Sequence, residues 1–221
     1  MLKIDDFVEY KNNNNFNSPS QLGQDSLVQW ILKEKRDGYF VDFGATDGVG
    51  YSNTYVLEKM FGWNGIACEP NRGYIVSLMV NRNCNVDSSC VYGKTDETVT
   101  FCQTDNGYLS TIKNYLNNDH MSEHRKNYIQ YDVQTISLDD LLEKYDAPTV
   151  IDYLSIDTEG SEYEILKNYS FNRMFKIISV EHNWNSNRDN IYNLLLSKGY
   201  ERVFTEISEF DDWYVHTELV K

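Results

Sequence analysis

The chain has 221 residues, 41% of them hydrophobic, enough for one domain with a sizeable core. A surplus of 34 acidic over 20 basic residues leaves a net charge of −14 with no Lys/Arg cluster, which argues against a nucleic-acid binder and against docking on anionic membranes. No apolar run reaches the length of a membrane span and no signal peptide opens the chain, so a cytoplasmic protein is expected, with Cys68, Cys84, Cys90 and Cys102 as reduced, mostly buried thiols rather than zinc ligands.

Residues 1–19 read as a flexible N-terminal arm, because Lys11 to Pro19 is polar and low in complexity. Residues 20–221 read as a single domain. A helix is expected from near Asp25 to Lys35, where Leu27, Val28, Trp30, Ile31 and Leu32 make a broad apolar face. Gly38 ends it and feeds a strand at Tyr39–Phe43. Ser52 or Asn53 can cap a helix to about Met60. Gly62-Trp-Asn-Gly65 turns into a second strand, Ile66–Glu69, which Pro70 stops. Tyr74–Asn81 looks helical, with Ile75, Leu78 and Met79 on one side. Strands follow at Asn85–Val91 and Thr98–Phe101.

Gly107–Asn127 has weak periodicity and reads equally as an insertion over an active site or as an ordinary helical excursion. Tyr128–Ile136 alternates as a strand does. Ser137-Leu-Asp-Asp140 opens a helix to Lys144. Val150–Ile156 is a strand that runs into Asp157, and a helix starts near Ser161. Ile177–Val180 is a short buried strand ending in Glu181-His182-Asn183. A helix runs from about Arg188 to Ser197, and Arg202–Glu206 with Trp213–Thr217 suggest a closing hairpin. Alternating strands and helices predict a largely parallel sheet with helices on both faces and an antiparallel C-terminal edge. This is the seven-stranded, Rossmann-like α/β sheet of class I methyltransferases.

In such sheets ligands lie beyond the carboxyl ends of the strands. Four acids fall there: Asp42, Glu69, Asp157 and Glu181. A carboxylate at the second strand's tip, Glu69, can hold the two hydroxyls of a ribose. Gly44, Gly48 and Gly50 do not make the G-x-G-x-x-G of a dinucleotide site, and Asp42 and Asp47 would repel a pyrophosphate. A sulfonium cofactor carries no phosphate and tolerates acids, so S-adenosylmethionine is favoured over NAD. An oxidoreductase or epimerase also lacks a Tyr-x-x-x-Lys pair in the expected place.

Methyl transfer to an alcohol needs alignment and a base. Asp157 and His182 are the candidates, with Glu181 placed to orient His182, whose unperturbed pKa is about 6.5. A metal alternative takes Asp157 with Glu181 or His182 as ligands. Mg²⁺ needs few protein ligands, and no spacing positively supports it.

Ser20-Gln-Leu-Gly-Gln-Asp25, Phe40-Val-Asp-Phe-Gly-Ala-Thr-Asp-Gly48, Ser52-Asn-Thr-Tyr55, Gly62-Trp-Asn-Gly65, Cys68-Glu-Pro-Asn71, Leu154-Ser-Ile-Asp-Thr-Glu-Gly160 and Val180-Glu-His-Asn183 together resemble the FkbM family of methyltransferases, from about Ser20 to Val215. The resemblance implies S-adenosylmethionine and O-methylation of hydroxyls on sugars or natural products. It implies that Asp42, Gly44 and Ala45, with Ser52 and Asn53, meet the amino-acid part of the cofactor. Glu69, followed by Pro70, would hold the ribose. Ser88 and Ser89 would edge the adenine, and the segment Gln21–Asp25, including Gln24, would close over the cofactor. The expected acceptor is a carbohydrate, with a small natural product as the alternative. A methyltransferase-like binding module without turnover is a further reading. A place as one domain of a larger glycan-building protein is compatible with all of these.

Overall fold

A computed structural model describes residues 2–14 and 16–220. In chain order the elements are α1 (Ile4–Asn13), α2 (Gln24–Ile31), β1 (Tyr39–Phe43), α3 (Tyr55–Phe61), β2 (Asn64–Cys68), α4 (Ile75–Asn81), β3 (Asn85–Asp87), β4 (Cys90–Tyr92), β5 (Thr98–Thr104), β6 (Thr111–Ile112), β7 (Tyr128–Ser137), α5 (Leu138–Lys144), β8 (Val150–Ile156), α6 (Glu162–Asn168), β9 (Met174–Glu181), α7 (Arg188–Ser197), β10 (Tyr200–Val203), β11 (Asp211–His216) and α8 (Thr217–Val220). Short 3-10 helices occupy Gly107–Leu109, Lys113–Tyr115 and His120–Arg125.

Seven strands form one sheet in the order β10-β11-β9-β8-β1-β2-β3. β1, β2, β3, β8 and β9 run parallel, and β11 is antiparallel to both β9 and β10. The fold is therefore the expected class I, Rossmann-like α/β sheet with an antiparallel edge. Strand order reverses between β1 and β8, which opens a crevice at their carboxyl ends. A smaller sheet, β4-β7-β5-β6, is inserted between β3 and β8.

Residues alternate across the central strands. Val41, Phe43, Leu154, Ile156, Ile178 and Val180 pack on one side with Leu141, Ile165 and Ile191. Phe40, Tyr153 and Ile177 pack on the other with Val28, Val56, Leu57 and Phe61. Burial on both faces is what a parallel sheet requires, and it explains the near-continuous apolar runs. Local chemistry sets the ends. Ser52 Oγ accepts the Thr54 and Tyr55 amides at 3.3 and 3.1 Å ahead of α3, and Gly62 closes that helix at φ +72°. Ser137 Oγ accepts the Asp140 amide and caps α5.

Three expectations differ from the structure. Residues 4–13, expected in a mobile arm, form α1, whose Phe7 is fully buried against Leu27 and Trp213 and stacks on Phe204 with centroids 5.7 Å apart. The asparagine-rich composition hid an amphipathic turn. Met1 and Asn15 of that arm, and Lys221, lie outside the described residues. The run Asn85–Val91 breaks into β3 and β4, because Asp87 Oδ1 accepts the Ser89 amide and turns the chain into the second sheet. On α4 only Leu78 is fully buried, while Met79 faces outward. Among the described residues no helix is long and apolar enough to cross a membrane.

Candidate active site

A cavity of about 550 Å³ lies at the carboxyl ends of β1, β2, β8 and β9. Its floor is Gly44, at φ +78°. A β-carbon there would sit 1.8 Å from the Asp157 carbonyl oxygen, so β1 and β8 can approach this closely only through glycine. The Gly44 and Ala45 amides both donate to the Cys68 carbonyl at 3.1 Å, which bends the chain across the tip of β2.

Glu69 follows that strand. It is buried, and its two oxygens accept the Thr46 and Asn71 amides at 2.8 and 2.7 Å. Burial raises its pKa to about 7 against the pull of those amides. Each carboxylate oxygen keeps acceptor capacity toward a bound ligand. Asp42 is buried one strand over and accepts the Thr54 hydroxyl at 2.5 Å. Burial raises its pKa too, against the neighbouring Arg82. Arg82 itself pairs with Glu58 at 2.8 Å and donates to the Gly48 carbonyl, Ser52 and Thr54, so one guanidinium ties the glycine loop to the start of α3. Asn53 donates to Ser155 Oγ at 3.1 Å, and its own Oδ1 is buried in the cavity wall without a partner.

At the opposite end Asp157, Glu159 and Glu181 bring carboxylate oxygens within 4.8 Å of one another. Asn183 Nδ2 donates to Glu181 at 2.6 Å and to Glu159 at 3.3 Å. Glu159 also pairs with the buried guanidinium of Arg125, which reaches Asp119 at 2.7 Å and the Leu109 carbonyl at 3.0 Å. Burial and mutual repulsion raise Asp157 to about 7, and raise Glu159 and Glu181 well above the ordinary carboxylate range. Such a group can share protons, accept one from a substrate, or hold a hard divalent cation.

The 3-10 segment roofs the cavity with Asn106, Tyr108, Leu109 and Met121, so Gly107–Asn127 is the insertion over the site rather than a distant excursion. Tyr51 and Trp184 stand at the rim with their rings more than half exposed. Thr46, Tyr51, Glu159, Asn183 and Trp184 of the cavity wall hold left-handed backbone, as do several loop residues elsewhere in the chain.

Of the residues expected from sequence, Asp42, Gly44, Ala45, Ser52, Asn53, Glu69, Pro70, Ser89, Asp157 and Glu181 line the cavity. Three do not. Gln24 stands behind the wall, with its amide on Asp211 at 2.6 Å, and Gln21 reaches the cavity instead. Ser88 is exposed on the turn that presents Ser89 inward. His182 points away: adjacent residues of an extended strand face opposite sides, so with Glu181 in the cleft His182 is turned out of it. Its Nδ1 accepts the Trp184 amide at 3.0 Å, its Nε2 lies 3.8 Å from Asp212 without a hydrogen bond, and burial lowers its pKa to about 4. It is a neutral structural imidazole, not a base facing the cavity. Sequence reasoning passed over Glu159, although an acid two residues beyond Asp157 in a strand-end turn was a usable signal. Arg82 and Arg125 carried none, since the glutamates they pair with, Glu58 and Glu159, lie 24 and 34 residues away.

Comparison with known proteins follows this geometry. The model of the methyltransferase FkbM domain matches residues 42–213. No curated protein gives a significant match. Among solved structures, precorrin-6y C5,15-methyltransferase from Geobacter metallireducens is 14% identical over 86% of this chain and 85% of its own, with a TM-score of 0.45. A human methyltransferase 10 domain containing protein is 10% identical over 98% and 99%, also at 0.45. At that distance they say nothing about the reaction. The family match covers both arms of the crevice, from Asp42 at the tip of β1 to Trp213 in β11, and the chain belongs to the FkbM family of methyltransferases.

Proposed function

We propose that this methyltransferase is an S-adenosylmethionine-dependent O-methyltransferase whose acceptor is a carbohydrate hydroxyl. The observation that carries the proposal is the makeup of the cavity. Carboxylates stand at four strand tips, and no lysine or arginine occurs among its described lining residues. Membership of the family implies S-adenosylmethionine, and the residues present suit it. Glu69 offers acceptors for a ribose, the unpartnered Asn53 Oδ1 offers one for an ammonium group, and nothing in the wall asks for phosphate. When bound, this cofactor supplies a sulfonium methyl group and leaves as a neutral thioether.

The chain's own part is positioning and proton removal. Asp157 is the base in this reading, taking the hydroxyl proton as the oxygen–methyl bond forms; a pKa of about 7 suits that task. Glu181, steadied by Asn183, holds the proton-sharing pair in place. The exposed rings of Tyr51 and Trp184 offer faces on which a sugar stacks, and Tyr108 packs on Tyr51 with centroids 5.0 Å apart. A wall without cations favours an acceptor end that bears no phosphate or carboxylate. A small natural-product hydroxyl meets the same criteria less well, because it has less use for amides and two exposed rings. Four unpaired cysteines suit a cytoplasmic site of action.

Incubation with trideuteromethyl-labelled cofactor and a panel of neutral glycans, read by mass spectrometry, tests this. Label on a sugar oxygen is expected. Label on nitrogen or carbon of the true acceptor would overturn O-methylation. One observation favours a second reading: Asp157, Glu159 and Glu181 converge as a cation site would. Activity lost to EDTA and restored by Mg²⁺ would make them ligands and remove Asp157 as base.

A further inference from the structure

We infer that Gln24 and Asp211 are positioning residues: their hydrogen bond pins the turn at residues 20–23 to the sheet, so that Gln21 stands in the cavity wall and donates to the carboxylate of the cofactor's amino-acid part. The inference rests on the cofactor reading above and adds to it a segment that precedes the family-matched residues 42–213.

Gln24 is buried, and both ends of its amide are engaged. Its Nε2 donates to Asp211 Oδ2 at 2.6 Å, across 187 residues of chain. Its Oε1 accepts the Ser20 hydroxyl at 3.0 Å and the Leu22 amide at 3.1 Å. Ser20 Oγ in turn accepts the Gly23 and Gln24 amides at 2.9 and 3.1 Å. Two side chains thus close the turn, and the Gln24 amide carries it onto β11. The far anchor belongs to the cavity wall. Asp211 is buried, opens β11 and lies opposite Glu181 of β9, and the preceding Phe210 lines the cavity. The Phe210 carbonyl accepts the His182 and Asn183 amides at 2.9 and 3.2 Å. On the other side of the turn, Asp25 is fully buried and accepts the Ser18 hydroxyl and the Ser26 amide, which fixes the start of α2. Burying an amide and a carboxyl costs free energy unless each finds its partner, so the turn is held in one arrangement.

Gln21 is what this arrangement presents. Its side chain is exposed, lines the cavity and hydrogen-bonds to none of the described residues. Other amides of the wall are spent: Asn53 Nδ2 on Ser155, and Asn183 Nδ2 on Glu181 and Glu159. No lysine or arginine occurs among the described lining residues, so a ligand carboxylate has to be met by neutral N–H donors. S-adenosylmethionine brings one carboxylate, on its amino-acid part, and Gln21 has an uncommitted amide to offer it.

Calorimetric titration of the full chain with S-adenosylhomocysteine, which keeps the amino-acid part, tests this without an acceptor. Gln21→Ala should weaken binding by roughly fivefold to twentyfold, and Gln24→Leu and Asp211→Ala by about as much. Asp211→Asn keeps an acceptor for the Gln24 amide and should stay within about twofold of wild type. The double variant Gln21→Ala/Gln24→Leu should bind no more than about twofold more weakly than Gln21→Ala, because Gln24 acts through Gln21. Losses that multiply in the double variant, or wild-type affinity in a folded Gln24→Leu protein, would overturn the inference. If the pin variants do not fold, hydrogen exchange on the wild-type chain decides. Bound S-adenosylhomocysteine should slow exchange of the Leu22, Gly23 and Gln24 amides, which bond to the turn's own side chains. Unchanged exchange there with ligand bound would overturn the inference and leave the cofactor reading standing. A wild-type chain that binds neither S-adenosylhomocysteine nor S-adenosylmethionine would sink the cofactor reading itself, and this inference with it.

Discussion

Gly44 and Asp157 meet backbone to backbone at the switch point of the sheet. A β-carbon on Gly44 would lie 1.8 Å from the Asp157 carbonyl oxygen, and the Asp157 amide donates to the Phe43 carbonyl at 3.2 Å. The two strands that frame the cleft are thus locked together at its floor. Gly44→Ala should therefore lose about 2–5 kcal/mol of stability, from left-handed strain plus overpacking. Urea denaturation reads this, and a midpoint within error of wild type would show that the two strands can separate cheaply.

Glu69→Ala removes both the acceptors offered to a ribose and the partners of the Thr46 and Asn71 amides. Affinity for S-adenosylhomocysteine should fall by about 1.5–3 kcal/mol. Glu69→Gln keeps one acceptor oxygen and should lose less. Unchanged affinity in a folded Glu69→Ala protein would sink the ribose assignment.

Arg125→Ala leaves Asp119 and Glu159 buried beside each other's charge without their cation. Removing one partner of a buried ion pair costs about 3–5 kcal/mol. The roof over the cleft should loosen as well, seen as faster amide exchange across Gly107–Arg125. Wild-type stability and protection in this variant would show that the network is not what holds the roof.

The ligand-free protein should be less stable at pH 8 than at pH 6.5. Glu69, Asp157 and Asp211 each have a folded pKa raised to about 7 by burial. A raised carboxyl binds its proton better folded than unfolded, so its favourable contribution is complete below the ordinary carboxylate pKa. It is lost as pH rises through about 7. His182 has the opposite sign in a lower window: its pKa of about 4 gives stability that is present above about 6.5 and lost as pH falls toward 4. Asp157→Asn should recover on the order of 1–3 kcal/mol at pH 8 and little at pH 5. A melting temperature that climbs from pH 6.5 to 8 would contradict the burial of these acids.

Once an acceptor is in hand, Asp157→Asn should lower turnover by roughly 10²–10⁴ with modest loss of cofactor affinity. His182→Gln should keep the shape of the wild-type pH–rate profile, since the ring lies behind the strand, although buried packing is lost. An acidic limb near pH 6–7 that vanishes in His182→Gln would return the base to the histidine.

The strand tips were legible in the sequence because apolar runs ending in an acid and a turn are local signals. Asp42, Gly44, Glu69, Asp157 and Glu181 all fall in the cleft as the order of strands and helices requires. Only the tertiary structure decided which neighbour faces inward. Glu181 points to the cavity and His182 does not, Ser89 does and Ser88 does not, Gln21 does and Gln24 does not. Strand alternation fixes such choices only once the register of β9 against β8 and β11 is set, and that register is a long-range property. The grouping of Arg125 with Glu159, and of Asn183 with both acids, depends on three segments far apart in the chain folding over one crevice. Composition said that the chain was acidic; the packing brought three of those acids together at one end of the cleft.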